Sequence, residues 1–270
     1  MSGIMHMLLA GSSKSYTIVE NFNASGSWVA PTGVTAVDYL VVAGGGGGSS
    51  YFGSGGSGGS GGGGQGGSGG GGGGTFVVRY LANLAATVAA NIVMVAGGGG
   101  SQNQLSGNAA VFAANYFTGN SNASLTSTAG NRGTPSTLGG SSAAGGTNGG
   151  AGATGAWGSG GAGFLANSTA GPFAGSQGIA YRFGANGGAA NYTNISTLGG
   201  ASVGGFGGGG GTHGFTGGGG GGGGYSGGGG GYQSNLWDMA GGGGSYSINS
   251  GYTQVGYNRG PGYVVITRIS

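Results

Sequence analysis

The sequence predicts a mainly β protein in which a small β-rich base carries a bundle of polyglycine II helices with intervening loops, and essentially no α-helix. Three observations predict this class. Of the 270 residues, 83 are Gly and only 4 are Pro, whereas Gly makes up about 7% of ordinary proteins. Runs rich in β-branched residues lie near both ends of the chain. Between these ends, the residues that interrupt the glycine tracts often recur at every third position.

Two other glycine-rich classes fit the composition less well. Collagen needs a strict Gly-X-Y period with abundant Pro, and neither is present. Disordered chains are typically rich in charged residues and poor in aromatic ones, whereas this chain is 3% charged and 10% aromatic. Ordering each glycine opposes folding by about 1–2 kcal/mol, which the burial of aromatic rings cannot offset alone. We therefore expect the tracts to hydrogen-bond to one another.

The base is predicted from the two ends of the chain. Residues 15–22 form a strand-like run, and a second run over 34–43 passes directly into a glycine tract. The last run, Tyr263-Val-Val-Ile-Thr-Arg-Ile269, has the β-branched composition of a closing strand. We therefore assign residues 15–43 plus 258–270 to the β-rich base and residues 44–257 to the glycine-rich region.

The spacing inside the glycine-rich region predicts the conformation of its tracts. Non-glycine residues recur every third position at Ser54, Ser57 and Ser60, and again at Ala153, Ala156, Ser159 and Ala162. Three residues per turn is the period of the polyproline II conformation, in which glycine keeps its N–H and can bond sideways to several neighbours. Every third side chain would then point outward. Gly-Gly-Ser triplets also occur in flexible linkers, which is the alternative for any single tract.

The strand-to-glycine junction occurs twice. Ile92-Val-Met-Val-Ala96 before Gly97 matches Tyr39-Leu-Val-Val-Ala43 before Gly44 position for position. The spacing is not sustained as a regular array, so the sequence does not predict a solenoid.

The sequence offers little for catalysis or metal binding. General acid-base chemistry needs converging titratable groups, and besides scattered cations the chain has only Glu20, Asp38, Asp238, His6 and His213. Glu20 and Asp38 could approach each other across adjacent strands, although exposed positions on a half-buried sheet are the simpler interpretation. There is no cysteine, and the two histidines are far apart. We expect no enzyme activity, no cofactor and no metal site.

The charge pattern bears on possible partners. The net charge is +3, from six scattered cations, and no basic run is present that would neutralise a row of phosphates. The apolar opening of the chain, Met1 to Ala10, has no basic n-region and is too short to span a bilayer. We therefore expect neither nucleic-acid binding nor membrane insertion, and no export signal.

Binding is predicted for the segments between the tracts. Aromatic rings with Arg, Asn and Ser nearby have the composition of binding loops, and interface hot spots favour Tyr, Trp and Arg. The alternative is that these rings pack against the glycine bundle. The predicted contact residues are Tyr181, Arg182, Phe183, Tyr232 and Trp237, with a second group formed by Tyr116, Phe117 and Arg132.

Two stretches resemble a known family. They are Ser27-Trp-Val-Ala-Pro-Thr-Gly-Val-Thr-Ala-Val-Asp-Tyr-Leu-Val-Val-Ala-Gly-Gly-Gly-Gly-Gly48 and Gly260-Pro-Gly-Tyr-Val-Val-Ile-Thr-Arg268. Both are similar to the ends of glycine-rich tail proteins of bacteriophages, and the opening Met1-Ser-Gly-Ile-Met-His-Met-Leu-Leu9 is similar to their start. Together these stretches cover about a quarter of the chain. The sequence departs from the glycine-rich tip adhesins of T-even-like phages, which have an N-terminal fibre-attachment region that we do not find in it.

The resemblance implies a virion component, assembled in the host cytoplasm, with polyglycine helices that carry receptor-contacting loops. Its implied partners are other tail or fibre proteins, further copies of the chain, with a trimer favoured, and a protein or glycan receptor on the host surface. We expect residues 1–14 to form an attachment segment to another virion protein or another copy, through Ile4, Met5, Met7, Leu8 and Leu9. A purely structural head fibre or decoration protein, and a non-viral glycine-rich extracellular structural protein, remain the alternatives.

Overall fold

The computed structural model of this protein describes residues 16–45, 48–50, 70–79, 83, 89–104, 129–130, 143–172, 175–189, 203–211, 218–231, 240–248 and 261–269. The chain divides into two compact units. The first comprises Met1–Leu40 and Val264–Ser270, and the second comprises Val41–Tyr263.

The prediction of a mainly β structure is confirmed. In the described ranges the regular elements are strands and two short 3-10 turns, Ala89–Asn91 and Tyr181–Phe183, with no α-helix. The strands are β1 Tyr16–Phe22, β2 Val37–Val42, β3 Gly48–Ser50, β4 Thr75–Val78, β5 Ile92–Ala96, β6 Gln102–Gln104, β7 Tyr246–Ser247 and β8 Tyr263–Ile269.

One sheet joins the two ends of the chain, with strand order β1-β8-β2. β1 pairs antiparallel with β8, with Ile18 opposite Thr267 and Phe22 opposite Val264. The β-branched run of β8 buries alternate residues, Val264 and Ile266, as the two-residue period of a strand requires. Because β8 lies between them, β1 and β2 are not neighbours.

Two further sheets belong to the second unit. β4, β5 and β7 form an antiparallel sheet in that order, and β3 pairs in parallel with β6. Each copy of the repeated junction is a strand followed by glycine, β2 before Gly44 and β5 before Gly97. The two glycine segments also meet, since the Gly99 N–H donates to the Gly44 carbonyl at 3.2 Å.

Among the described residues of the second unit, seven glycine-rich tracts lie side by side in one group. We call residues 218–224 the central tract, because it shares backbone hydrogen bonds of 2.7–3.3 Å with each of the other six. Those six also bond to one another in a closed ring. In ring order they are residues 70–74, 204–211, 158–163, 227–231, 240–245 and 97–101.

These hydrogen bonds repeat every three residues. The N–H groups of Gly221 and Gly224 both donate to the tract at 158–163, at Ser159 and Ala162. The carbonyls of residues 220 and 223 both accept from the tract at 97–101, and those of 219 and 222 both accept from the tract at 227–231. Burial follows the same period, since every third residue from 143 to 158 is buried and none between them is.

Only glycine fits in the central tract. A Cβ added at Gly220 would lie less than 3.0 Å from the carbonyl oxygen of Gly210, and one at Gly222 would meet that of Gly98. These neighbours are backbone atoms, which cannot move aside as a flexible side chain can. The absence of side chains therefore lets one tract bond to neighbours on all sides.

The buried residues of these tracts that are not glycine are Ser or Ala, and the Ser hydroxyls often bond to the backbone. Ser159 and Ala162, expected to point outward, are instead buried, so that expectation is wrong for these two positions. The cause is that their tract has neighbours on several sides. The Ser159 hydroxyl donates to the Gly175 carbonyl at 2.6 Å, and the Ser245 hydroxyl accepts from the Gly97 N–H at 3.0 Å. Ala153, which begins that spacing, is exposed as expected.

An apolar core lies where several tracts end. Ile92, Val95 and Phe164 are fully buried. Six partly buried side chains pack on them, and we call the whole group the aromatic cluster. These six are Phe76, Val78, Leu165, Tyr181, Tyr225 and Tyr246. Phe164 directly follows the tract at 158–163, and Tyr225 directly follows the central tract. β4 and β7 likewise follow tracts, and β5 precedes one. The cluster therefore lies where these tracts meet the strands.

Candidate functional site

The predicted contact residues Tyr181, Arg182 and Phe183 form one 3-10 turn. The Phe183 N–H donates to the Ala180 carbonyl at 2.9 Å, and the Gly184 N–H donates to the Tyr181 carbonyl at 3.1 Å. Gly184 closes the turn with a φ of 113°, a value that L side chains rarely adopt. The turn is therefore set by local backbone bonds and by the glycine that ends it.

Tyr181 points into the aromatic cluster. Its ring stacks on Phe164, with centroids 5.3 Å apart and an interplanar angle of 11°, and its centroid lies 4.7 Å from that of Phe76. Rings in such arrangements stabilise a core beyond the area that they bury. For this residue the geometry favours the alternative stated above, in which the ring packs against the bundle.

Phe183 points outward and is 53% exposed. The guanidinium of Arg182 lies over its ring, 5.1 Å from the centroid, within the distance of a cation–π contact. The turn therefore has an inward ring that anchors it and an outward ring held beside a cation. We call Phe183, which is exposed, and Arg182, which is half-buried, the Arg–Phe pair.

A second exposed ring, Phe206, lies near this turn and was missed by the sequence analysis. It is 51% exposed, and the next residue, Gly207, donates its N–H to the Ala185 carbonyl at 2.6 Å. Ala185 comes two residues after Phe183, so the backbone places both rings beside one junction. A single Phe between glycines, as in Gly204-Gly-Phe-Gly207, was the available signal.

The other predicted site residues lie outside the described residues. They are Tyr232, Trp237, Tyr116, Phe117 and Arg132 among the contact residues, and Ile4, Met5, Met7, Leu8 and Leu9 in the attachment segment. Their assignments stay predictions. Tyr232 directly follows the tract at 227–231, and Trp237 is three residues before the tract at 240–245.

The described titratable groups do not converge. Glu20 and Asp38 are both exposed, and they lie on β1 and β2, which β8 separates. The possibility that they meet across adjacent strands is therefore excluded, and the simpler interpretation, exposed positions on a sheet, fits both residues. No group of three or more potential metal ligands occurs in the described part of the chain. An open depression of about 320 Å³ is lined by Thr154, Thr169, Pro172 and small residues.

Burial in the aromatic cluster affects two tyrosines. It raises the pKa of Tyr181 above its ordinary value of 10.0. Burial also raises the pKa of Tyr225, and electrostatic interaction with the neighbouring Tyr246 raises it further. The ring centroids of Tyr225 and Tyr246 are 4.8 Å apart. The neutral phenol is thus favoured in the folded state.

This shift predicts a loss of stability at high pH. The unfolded chain releases the Tyr181 proton near pH 10, before the folded chain does, so the stabilisation is full below that pH and is lost as pH rises through the folded pKa. We expect Tyr181→Phe to lose less stability than the wild type between neutral and strongly alkaline pH. Urea unfolding at several pH values measures this, and equal losses in both proteins would contradict it.

No family model matches this chain, and no curated protein matches it in sequence. None of the helices in the described ranges is long and apolar enough to cross a membrane.

Proposed function

We propose that this protein is a structural and host-recognition component of a bacteriophage virion, a tail fibre or adhesin subunit in which polyglycine II helices hold receptor-contacting loops. The observation that carries the proposal is the three-residue repeat of hydrogen bonds around the central tract. A three-residue period with bonds to neighbours on all sides is what polyglycine II helices require. The resemblance of both chain ends to phage tail proteins supports the virion assignment.

The lack of side chains in the central tract supports recognition by other parts of the chain. The central tract has no side chain that could discriminate a partner, and its backbone groups bond to the surrounding tracts. Specific contact would therefore come from side chains outside the central tract. Among the described residues, the Arg–Phe pair and Phe206, which lies within the tract at 204–211, have the Arg and aromatic character of interface hot spots. Tyr232, Trp237, Tyr116, Phe117 and Arg132 belong to the same proposal.

Attachment belongs to a different part of the chain in this proposal. Ile4, Met5, Met7, Leu8 and Leu9 contribute an apolar surface that docks to another virion protein or to another copy, with a trimer favoured. Deleting residues 1–14 should therefore abolish incorporation into particles while the purified chain keeps its unfolding midpoint. Normal incorporation of the deletion variant would count against this part.

Recognition is tested by adsorption of particles that carry variant chains. Phe183→Ala should reduce adsorption to host cells by about tenfold or more, since removing a hot-spot ring costs about 2 kcal/mol or more in binding. Its melting temperature should stay near that of the wild type, because the ring is more than half exposed.

Tyr181→Phe is the control. It keeps the packed ring and should keep adsorption. If Phe183→Ala and variants of the other contact residues all adsorb normally, the chain is a purely structural virion protein. If the chain is absent from particles altogether, the non-viral alternative holds.

A further inference from the structure

The sequence contains two Asn-Gly dipeptides, Asn148-Gly149 and Asn186-Gly187. In such a pair the glycine nitrogen can attack the asparagine side-chain carbon Cγ, because no Cβ on the glycine blocks the approach. The new N–Cγ bond closes a succinimide, and the Cγ–Nδ2 bond breaks as the side-chain nitrogen leaves as ammonia with the amide proton. Water then opens the ring to aspartate or to isoaspartate, whose main chain runs through the side chain.

Both asparagines are exposed, but the two attacking nitrogens differ. The Gly149 N–H donates to the hydroxyl of Ser226 at 3.1 Å, in a buried bond. The turn around it is closed by a second bond, from the Gly150 N–H to the Thr147 carbonyl at 2.8 Å. Attack at Asn148 therefore requires that a buried hydrogen bond be broken first.

At Asn186 the described residues provide no bond of this kind to the attacking nitrogen. Within the ranges that the structure describes, the Gly187 N–H has no hydrogen-bond acceptor. The Asn186 carbonyl accepts a hydrogen bond from the Ile179 N–H at 2.8 Å. This bond does not involve the Gly187 nitrogen. We propose that Asn186 is a site of spontaneous deamidation and that Asn148, with the same dipeptide, is protected by Ser226.

The modification would alter the exposed turn. A Cβ placed at Gly184 would lie 3.8 Å from Asn186 Nδ2, so the side chain sits beside the turn that carries Arg182 and Phe183. Deamidation adds a carboxylate there and lowers the net charge from +3 to +2, one negative charge being added. Isoaspartate also lengthens the main chain just before Gly188, which bonds to Gly204 and Gly209. The intrinsic reactivity does not depend on what the protein binds.

Peptide mapping by mass spectrometry after timed incubation in mildly alkaline buffer tests the inference. Native protein should convert Asn186 about tenfold faster than Asn148, the ratio expected if a buried hydrogen bond must be broken first. In urea-unfolded protein the two sites should react at similar rates, because the dipeptides are identical. Asn186→Ser should leave no product at that position.

Ser226→Ala is the diagnostic variant, since it frees the Gly149 N–H. It should accelerate conversion of Asn148 and leave the rate at Asn186 unchanged, which then serves as an internal control for folding. The inference would be overturned if Asn148 in native protein converts as fast as Asn186 or faster. It would also be overturned if the difference in rate between the two sites persists in urea. An unchanged Asn148 rate in folded Ser226→Ala would also overturn it.

Discussion

Phe164→Ala is expected to lower the free energy of unfolding of the second unit by about 3–5 kcal/mol, the range for truncating a buried Phe. Phe164 is fully buried among Ile92, Val95 and the ring of Tyr181. Its removal opens a cavity where several tracts end, and the tracts cannot collapse into it without breaking their hydrogen bonds. Urea unfolding followed by fluorescence and circular dichroism measures the change.

Phe183→Ala is the matched control for this prediction, because it removes the same side chain from an exposed site two residues after Tyr181. We expect a change of about 0.5 kcal/mol or less, as for surface substitutions. Similar losses in both variants would show that the aromatic cluster is not the core of the second unit.

Gly222→Ala is expected to destabilise the protein by about 3 kcal/mol, the upper part of the usual range for overpacking. The added methyl group would overlap the Gly98 carbonyl oxygen and approach the Gly243 nitrogen, and both are backbone atoms. In an unstructured linker the same change would do almost nothing or would slightly favour order. The sign and size of the effect therefore separate a packed tract from a loose one.

Gly26→Ala serves as the control for the glycine substitution. There the added methyl group would meet only the ring of Phe22, a side chain that can rotate, at an exposed position. We expect a change within about 1 kcal/mol of zero. Equal effects at Gly26 and Gly222 would contradict the packing described for the central tract.

The strands were the part of the fold that the sequence predicted well. Residues 263–269 and the run ending at Ala43 carry enough β-branched residues to define strands, and β8 and β2 form there. The order of the sheet was not predictable, because hydrophobic pattern does not specify which neighbour a strand takes. The insertion of β8 between β1 and β2 separated Glu20 from Asp38.

The three-residue spacing predicted bonding between tracts but not which tracts pair. Glycine has no side chain that could make one tract a better partner than another. The central tract therefore bonds to residues as distant in sequence as Gly72. The same limit explains why Ser159 was expected at the surface. Whether a third-position residue faces solvent or another tract depends on how many neighbours the tract has.

The candidate site was predictable in composition but not in orientation. Tyr181-Arg182-Phe183 contains two rings and a cation, and nothing in that sequence distinguishes the ring that packs on Phe164 from the ring that faces solvent. That distinction arises from the 3-10 turn, which directs residues two apart to different sides. Phe206 joins the site through tertiary bonds, in which the N–H groups of Gly207 and Gly208 both donate to the Ala185 carbonyl.

Amide hydrogen exchange of the central tract tests the glycine bundle most directly. Four amides of the central tract each donate a backbone hydrogen bond to a tract of the surrounding ring; they belong to Gly221, Gly222, Gly223 and Gly224. Their amides should therefore exchange only through large-scale opening, with protection close to that of the strand amides of β5. Exchange of these four amides at the rate of an unstructured glycine peptide, while β5 stays protected, would contradict the bundle.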